Sequence, residues 1–208
     1  MQHEPISYLP PPVRTTARCA EIAWFSALCS DDYQFLGVPD GELRSSVSHC
    51  GAIVKKADQL GYKNVLLPSS WMVGQDPIAF AAGMIPQTDQ INQLIALRMG
   101  EVWPPMLARA LATLDHAAEG RLCINIISSD LPGQKEDGAV RYARSREIIR
   151  ILKRLWTEDG PFEWNGDYYQ IKLPSTDPAK PFQQNGGPLL YFGGISPAAH
   201  DLCAEHCD

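Results

Sequence analysis

Basic, hydroxyl and glycine residues follow several apolar runs of the chain, and their types suit the binding of anions. Arg98, Ser128-Ser129 and Gly193-Gly194-Ile195-Ser196 each come directly after a short apolar run. An arginine offers forked cationic donors to a phosphate or a sulfonate. Glycines ahead of a helix let backbone N–H groups approach a phosphate closely, and the helix N-terminus adds a positive dipole end. The pattern therefore predicts a site for an oxyanion.

The candidate residues lie at the predicted carboxyl ends of buried strands, which is where parallel α/β folds place their ligands. They are Trp24, Ser26, Ser69, Arg98, Ser128, Ser129, Gly193, Gly194 and Ser196. Simpler interpretations stay open. The segment from Gly193 to Ser196 can be a plain strand-to-helix turn, and Arg98 can belong to a structural ion pair. Asn125, inside a strand, is more typical of a hydrogen-bonded core amide than of a catalytic group.

The stretch from Arg121 to Trp156 is the clearest structural unit behind these candidates. Residues 121–127 are nearly all apolar, which is typical of a strand buried on both faces. Ser128-Ser129-Asp130 and a short polar connection follow. Apolar residues then recur at helical spacing from Arg141 to Trp156. A buried strand followed by a long helix is half of a βαβ unit.

The alternation of strand and helix continues along the chain. Strands are predicted at 21–28, 65–68, 94–98, 121–127 and 189–192, and helices at 46–60, 78–84, 104–118, 141–156 and 197–206. Gly61 is predicted to end one helix, and Asp76 to cap the next, with Pro77 at its first position. This rhythm favours a parallel sheet with helical crossovers. Pattern alone leaves open whether the sheet is doubly wound or part of a (β/α)8 barrel.

Two stretches depart from that rhythm. Residues 162–171 carry Asn165-Gly166 between aromatic, strand-favouring flanks, which predicts a β-hairpin inserted before the fifth strand. Residues 1–20 are rich in proline and lack a period, so we expect a leader there and one domain over 21–208.

Composition narrows the class of protein. The formal net charge of −6 gives no basic field for nucleic acid. No stretch approaches 18 uninterrupted apolar residues and no signal core opens the chain, so the sequence predicts a cytoplasmic protein without a membrane span. The scattered cysteines argue against a disulfide framework. His200, Cys203 and Cys207 could share one helix face, but a structural zinc needs four ligands, and no metal site is predicted.

A series of short segments resembles one family in its order along the chain. The matching segments are Trp24-Phe25, Ala57-Asp-Gln-Leu-Gly61-Tyr62, Val65-Leu-Leu-Pro68, Met84-Ile-Pro-Gln-Thr88, Leu94-Ile-Ala-Leu-Arg98, Ala112-Thr-Leu-Asp115, Gly120-Arg121 with Asn125, Arg141-Tyr142 and Leu190-Tyr-Phe-Gly193-Gly194. Each is weak alone, but together they span most of residues 21–208. The chain resembles the luciferase-like flavin-dependent monooxygenases, specifically the alkanesulfonate monooxygenase branch.

The resemblance implies a (β/α)8 barrel that uses reduced FMN from a separate reductase, together with O2, to convert an organosulfonate to an aldehyde and sulfite. It also implies that Arg141 and Tyr142 face the flavin site, with Tyr142 as a cofactor ligand. Arg141, together with Arg98 at its strand end, is a catalytic candidate. For Arg141 the alternative is a surface arginine at a helix start. A homo-oligomer is expected. Since eight strands are needed and five are predicted, the barrel is expected to be incomplete.

Two positions differ from the branch pattern. Gly138 stands where the branch carries a histidine, three residues ahead of Arg141, and Gly74 stands where it carries a cysteine, two residues ahead of Asp76. These differences leave two other hypotheses open. One is an oxidoreductase that uses another flavin-type cofactor, such as the deazaflavin F420. The other is a non-catalytic flavin-binding module that needs a partner to complete the barrel.

Overall fold

The computed structural model describes residues 21–29, 45–70, 74–175, 180–184 and 186–208. Their strands are β1 Ala23–Phe25, β2 Asn64–Leu67, β3 Asn92–Arg98, β4 Leu122–Ile127, β5 Phe162–Asn165, β6 Gln170–Leu173 and β7 Leu189–Phe192. Their helices are α1 Val47–Gln59, α2 Pro77–Met84, α3 Pro104–Ala117, α4 Gly138–Thr157 and α5 Pro197–His206, with a 3-10 turn at Ile85–Gln87. The predicted leader, residues 1–20, lies outside the described residues.

Five strands form one sheet in the order β1-β2-β3-β4-β7, and every neighbouring pair is parallel. The predicted parallel α/β fold is therefore confirmed. β4 is central to the part of the sheet that carries most candidate residues, because it pairs with β3 over six positions and with β7 over four. Parallel strands bring all their carboxyl ends to the same edge of the sheet, so residues that follow β3, β4 and β7 become neighbours.

Strand residues alternate between a helix-packed face and an inner face. Val65, Ile95 and Ile124 belong to the buried cluster that contains α1, α3 and α4 side chains. On the inner face, the Tyr191 hydroxyl donates to the Glu21 carboxylate at 3.2 Å, which joins the chain beside one edge strand to the other edge strand. Burial first, and then nearby Cys123 and Glu21, raise the pKa of Tyr191 to about 12. The sheet is thus curved enough for its edges to share a hydrogen bond.

Helix boundaries follow the predicted caps. The Ser46 side chain accepts from His49 N at 3.1 Å and opens α1, and Asp76 accepts from Ala79 N at 2.7 Å and opens α2. Gly61 has a φ of +76° directly after α1, as a C-terminal glycine should. The largest difference among the helices is α4, which begins at Gly138, three residues before the predicted start. No apolar period marks that first turn, so the pattern could not show it. Among the strands, β1 covers only Ala23–Phe25 instead of the predicted 21–28.

The hairpin is confirmed, but its turn is longer than an Asn-Gly pair. Asn165 pairs with Gln170, so residues 166–169 form the connection. Buried Glu147 of α4 determines this shape, since its carboxylate accepts from Trp164 Nε1 at 2.9 Å and from the backbone N of residues 168 and 169 at 3.1 and 2.9 Å. One acidic side chain therefore holds the hairpin tip against α4.

Asp58, at the last turn of α1, connects that helix to the entry of β3. Its carboxylate accepts from three successive backbone N–H groups, those of Asp89, Gln90 and Ile91, at 3.1, 3.0 and 2.8 Å. Burial raises the pKa of Asp58, but the three N–H donors outweigh burial and leave this pKa below its usual value. The charged carboxylate therefore satisfies backbone groups of the loop that leads into β3.

Replacing Asp58 with Asn should lower the free energy of unfolding at pH 7 by about 1–3 kcal/mol, because an N–H donor is left without its acceptor. A lowered pKa in the folded state stabilises the fold above the unfolded-state pKa of about 3.9 and loses this effect as pH falls through the folded value. The deficit of Asp58→Asn should therefore hold from pH 7 to about 5 and shrink below about pH 4. Urea unfolding between pH 7 and 2.5 measures it. Asp201→Asn, on the exposed face of α5, is the control, and a deficit independent of pH would contradict the assignment.

Candidate active site

The carboxyl edge of β3, β4 and β7 gathers most of the predicted site residues. Arg98 is the last residue of β3 and is 7% exposed. Its Nε donates to Ser129 Oγ at 2.7 Å, and its Nη1 donates to Glu101 at 2.5 Å. The structural ion pair that the sequence left open is therefore present. Arg98 links the ends of β3 and β4, and its reactive role stays a prediction.

The other serine of the pair connects β4 to α4. Ser128 Oγ donates to Ser145 Oγ at 2.6 Å. Ser145 is buried in the second turn of α4, so this bond fixes the start of the helix against the strand end. The carboxyl edge of β3, β4 and β7 forms the rim of the candidate site. Ser129 connects this rim to β3, and Ser128 connects it to α4.

Tyr142 of α4 and Ser196 at the start of α5 meet at the rim. Ser196 Oγ lies 3.1 Å from the Tyr142 hydroxyl and donates to it. Ser196 also caps α5, since its Oγ accepts from Ala199 N at 3.2 Å. A Cβ added at Gly193 would meet nothing within 4 Å, whereas one at Gly194 would lie 2.7 Å from the Ala199 Cβ. The two hydroxyls and the open backbone at Gly193 form a polar cradle at a helix N-terminus.

The Arg141 guanidinium donates to one carboxylate oxygen and one backbone carbonyl oxygen. Its Nη1 donates to Asp130 Oδ1 at 2.6 Å and to the Glu136 carbonyl at 3.0 Å. The Arg141 guanidinium, and then the backbone N–H of Glu136, lower the pKa of the Asp130 carboxyl. The Arg141 side chain is 25% exposed, so it is neither a free surface group nor fully buried.

Two predicted cofactor residues, Trp24 and Ser26, face α1 instead of this cluster. Trp24 packs against Tyr62, with ring centroids 5.3 Å apart, beside α1. Ser26 is fully buried and donates to the Cys50 carbonyl of α1 at 3.2 Å. Both therefore face α1, because residues two apart on an extended strand share a side. Ser69 lies partly buried two residues after the end of β2, and its cofactor role stays a prediction.

Sequence reasoning missed four residues that shape the rim: Asp130, Glu136, Arg144 and Ser145. Asp130 is visible in the Ser-Ser-Asp segment, but its arginine partner is eleven residues away. Arg144 contacts Glu136, which lies in the irregular loop ahead of α4, so no helical or strand period relates the two residues. Among the described residues, no group of three or more His, Cys, Asp or Glu side chains is placed to hold a metal ion. No helix in those ranges is long and apolar enough to cross a membrane.

Comparison with known proteins shows the family. The sequence model of the luciferase-like monooxygenases matches residues 33–208. The chain belongs to this family. It is 59% identical over 189 residues to a sulfoquinovose monooxygenase of Agrobacterium fabrum, covering 91% of this chain and 49% of that protein. It is 47% identical over 196 residues to a sulfoquinovose monooxygenase of Novosphingobium aromaticivorans, covering 90% and 53%. The chain thus spans about half the length of the curated relatives it matches.

Solved structures agree on the fold. Riboflavin lyase with modified FMN and riboflavin superposes with a TM-score of 0.76 at 15% identity, covering 88% of this chain and 52% of that chain. A long-chain alkane monooxygenase gives 0.75 at 17% identity, covering 90% and 54%. Identities this low establish the fold alone. The five parallel strands are therefore about half of a luciferase-like (β/α)8 barrel, as predicted.

The two glycines that differ from the branch pattern occupy unlike environments. Gly74 has a φ of +103°, and a Cβ there would lie 2.1 Å from the Leu28 carbonyl oxygen. A cysteine at this position would need the backbone to move. Gly138 is the first residue of α4, and its nearest neighbour to an added Cβ is Arg141 Nη2 at 3.8 Å. A side chain would fit there.

Alanine at these positions should therefore have opposite effects on stability. Gly74→Ala should lower the free energy of unfolding by about 2 kcal/mol or more, because of the left-handed backbone and the collision with Leu28. Gly138→Ala should raise it by roughly 0.5 kcal/mol, because alanine favours helix and fits without contact. Denaturant unfolding of the two variants beside the wild type measures both. Equal losses for the two alanines would contradict this account of the loop at Gly74.

Proposed function

We propose that the chain belongs to a flavin-dependent monooxygenase that uses reduced FMN and O2 to remove the sulfonate group of a sulfonated sugar. The observation that carries the proposal is the contact between Tyr142 and Ser196 at the N-terminus of α5. The relatives' names supply the substrate class, because both matched curated relatives are called sulfoquinovose monooxygenases.

The cradle fits the phosphate of FMN. The Tyr142 hydroxyl accepts from Ser196 and so keeps its own hydrogen for a phosphate oxygen. The first turn of α5 adds the Ala198 N–H and a positive dipole end. Gly193 leaves room for the ligand, since an added Cβ there meets nothing within 4 Å. Gly194 allows the close packing of β7 against α5 that brings Ser196 to Tyr142. A phosphate therefore finds directional donors here.

The other rim residues then act by binding and positioning. Bound FMN would supply the oxygen-activating chemistry, and the protein's part is to orient and shield its ring. Arg98 and Ser129 hold the ends of β3 and β4 at fixed separation. Arg141 presents a permanent positive charge that can hold an oxyanion, either the phosphate or the substrate sulfonate.

The remaining parts of the proposal concern partners. A separate reductase would supply the reduced flavin, and the carbon that carried the sulfonate would leave as an aldehyde while the sulfur leaves as sulfite. A homo-oligomer and a cytoplasmic location belong to the same proposal.

The phosphate cradle predicts a specific loss in FMN binding. Tyr142→Phe removes one donor, so the Kd for FMN should rise roughly tenfold, while the Kd for riboflavin, which lacks the phosphate, stays unchanged. Ser196→Asp keeps a good N-cap but places a negative charge beside the phosphate, so its effect on FMN should be larger. Quenching of flavin fluorescence measures both constants.

Tyr168→Phe, on the half-exposed hairpin tip, is the matched control and should bind FMN like the wild type. Equal weakening of FMN and riboflavin by Tyr142→Phe would rule out the cradle. Sulfite release from sulfoquinovose, with reduced FMN and O2, tests the reaction itself. Binding of F420 with no binding of FMN would favour the deazaflavin alternative instead.

A further inference from the structure

A buried arginine lies next to the rim pair of Arg141 and Asp130. Arg144 of α4 is 7% exposed. Its Nη1 donates to both carboxylate oxygens of Glu136, at 2.6 and 2.5 Å. The turn at Gly100 covers it, so closely that a Cβ added to this glycine would lie 3.0 Å from Arg144 Nε. Arg144 therefore holds the β4–α4 loop to the helix from the inside.

Glu136 connects Arg144 to the rim pair of Arg141 and Asp130. Its side chain contacts Arg144, while both of its main-chain polar groups serve the other pair. Its N donates to Asp130 Oδ1 at 3.2 Å, and its carbonyl accepts from Arg141 Nη1 at 3.0 Å. Asp130 and Arg141 in turn contact each other at 2.6 Å. Any displacement of Glu136 would therefore move both partners of the rim pair.

The contribution of the Arg144–Glu136 pair to the free energy of unfolding is reduced by the desolvation of its charges. The Arg144 side chain is 8% exposed and that of Glu136 is 22% exposed, so both charges lose much of their hydration. Such desolvation costs up to several kcal/mol per fully buried ion, and well-packed apolar residues often do as well or better for stability alone. Two more Arg144 nitrogens, Nε and Nη2, are buried without an acceptor among the described residues. Stability is thus a poor explanation of this pair, whereas a fixed geometry for Glu136 explains it.

We propose that Arg144 and Glu136 are positioning residues that hold Arg141 in the orientation in which it binds an oxyanion. The oxyanion is the phosphate of the cofactor or the sulfonate of the substrate, and the proposal rests on the proposed function. Both hydrogen bonds of Arg141 described above run through Nη1, which leaves Nη2 for the ligand. Arg144 does not touch the ligand and acts through Glu136.

The test compares ligand pairs that differ only in the anion. Wild type, Arg144→Met, Glu136→Gln and Arg141→Met are each titrated with FMN and riboflavin, and, with FMN present, with sulfoquinovose and its sulfonate-free analogue quinovose. Arg150→Met is the matched control, because Arg150 is also on α4 and the variant removes an ion pair to Glu205 of α5, while Arg146 keeps its own contact with Glu205. Glu136→Gln preserves side-chain size and keeps the test valid if Arg144→Met folds poorly.

We expect Arg144→Met and Glu136→Gln to weaken one anion-bearing ligand by roughly tenfold, with its neutral partner and the control unchanged. The affected pair identifies the oxyanion as phosphate or sulfonate. In an Arg141→Met background, Arg144→Met should add less than about twofold, because its effect runs through Arg141. A readout without ligand accompanies this: hydrogen exchange at the Glu136 amide should be faster in Arg144→Met and unchanged in Arg150→Met.

Two results would overturn the positioning role while leaving the proposed function intact. One is ligand ratios that match the wild type in both Arg144→Met and Glu136→Gln. The other is an equal loss from Arg144→Met whether or not Arg141 is present, which is what a purely structural residue gives. A wild-type chain that binds neither flavin nor sugar would overturn the proposed function together with this inference.

Discussion

The pairing of β4 with β3 on one side and β7 on the other is the constraint on which the site depends. Parallel pairing leaves no freedom in where the strand ends lie, since the ladder fixes Asn125 beside Ala96 and Tyr191. Residues separated by about a hundred positions, such as Arg98 and Ser196, therefore reach one edge of the sheet. Side-chain bonds then join the strand ends, from Arg98 to Ser129 and from Ser128 to α4.

α4 converts that edge into a site because it contributes on several faces at once. Tyr142 reaches α5, Arg141 and Arg144 hold the β4–α4 loop, and Glu147 carries the hairpin. Successive helical residues point about 100° apart, so one amphipathic helix can serve three neighbours within two turns. Its buried apolar stripe, which includes Ile148 and Leu152, anchors it to the sheet meanwhile.

The strands, helices and caps could be predicted from sequence because each has a local signal. Leu189–Phe192 and the helix from Pro197 agree with the predicted bounds. Which side of the sheet the β1 side chains would lie on could not be predicted, because three residues are too few to show an alternating pattern. Trp24 and Ser26 lie on the side that packs against α1. The Glu136–Arg144 pair could not be predicted either, since Glu136 lies in an irregular loop ahead of α4, where no periodic pattern places its side chain. Tyr142 and Ser196 were each predicted, but only the packing of α4 on α5 shows that they meet.

Charge balance at the rim explains why directional donors rather than net charge would select a ligand there. Arg98, Arg141 and Arg144 each contact a carboxylate, those of Glu101, Asp130 and Glu136 respectively. Within each pair the positive and negative charges largely cancel at long range. Because the whole chain is also acidic, an anion gains little from electrostatic steering. Affinity must then come from short, oriented hydrogen bonds, such as those from hydroxyls at a helix N-terminus and from an arginine held at a fixed angle. An arginine that is already bound to a carboxylate can bind a ligand only if its remaining N–H donors have the right direction. The contact of Arg144 with Glu136, which in turn binds Arg141, would fix that direction.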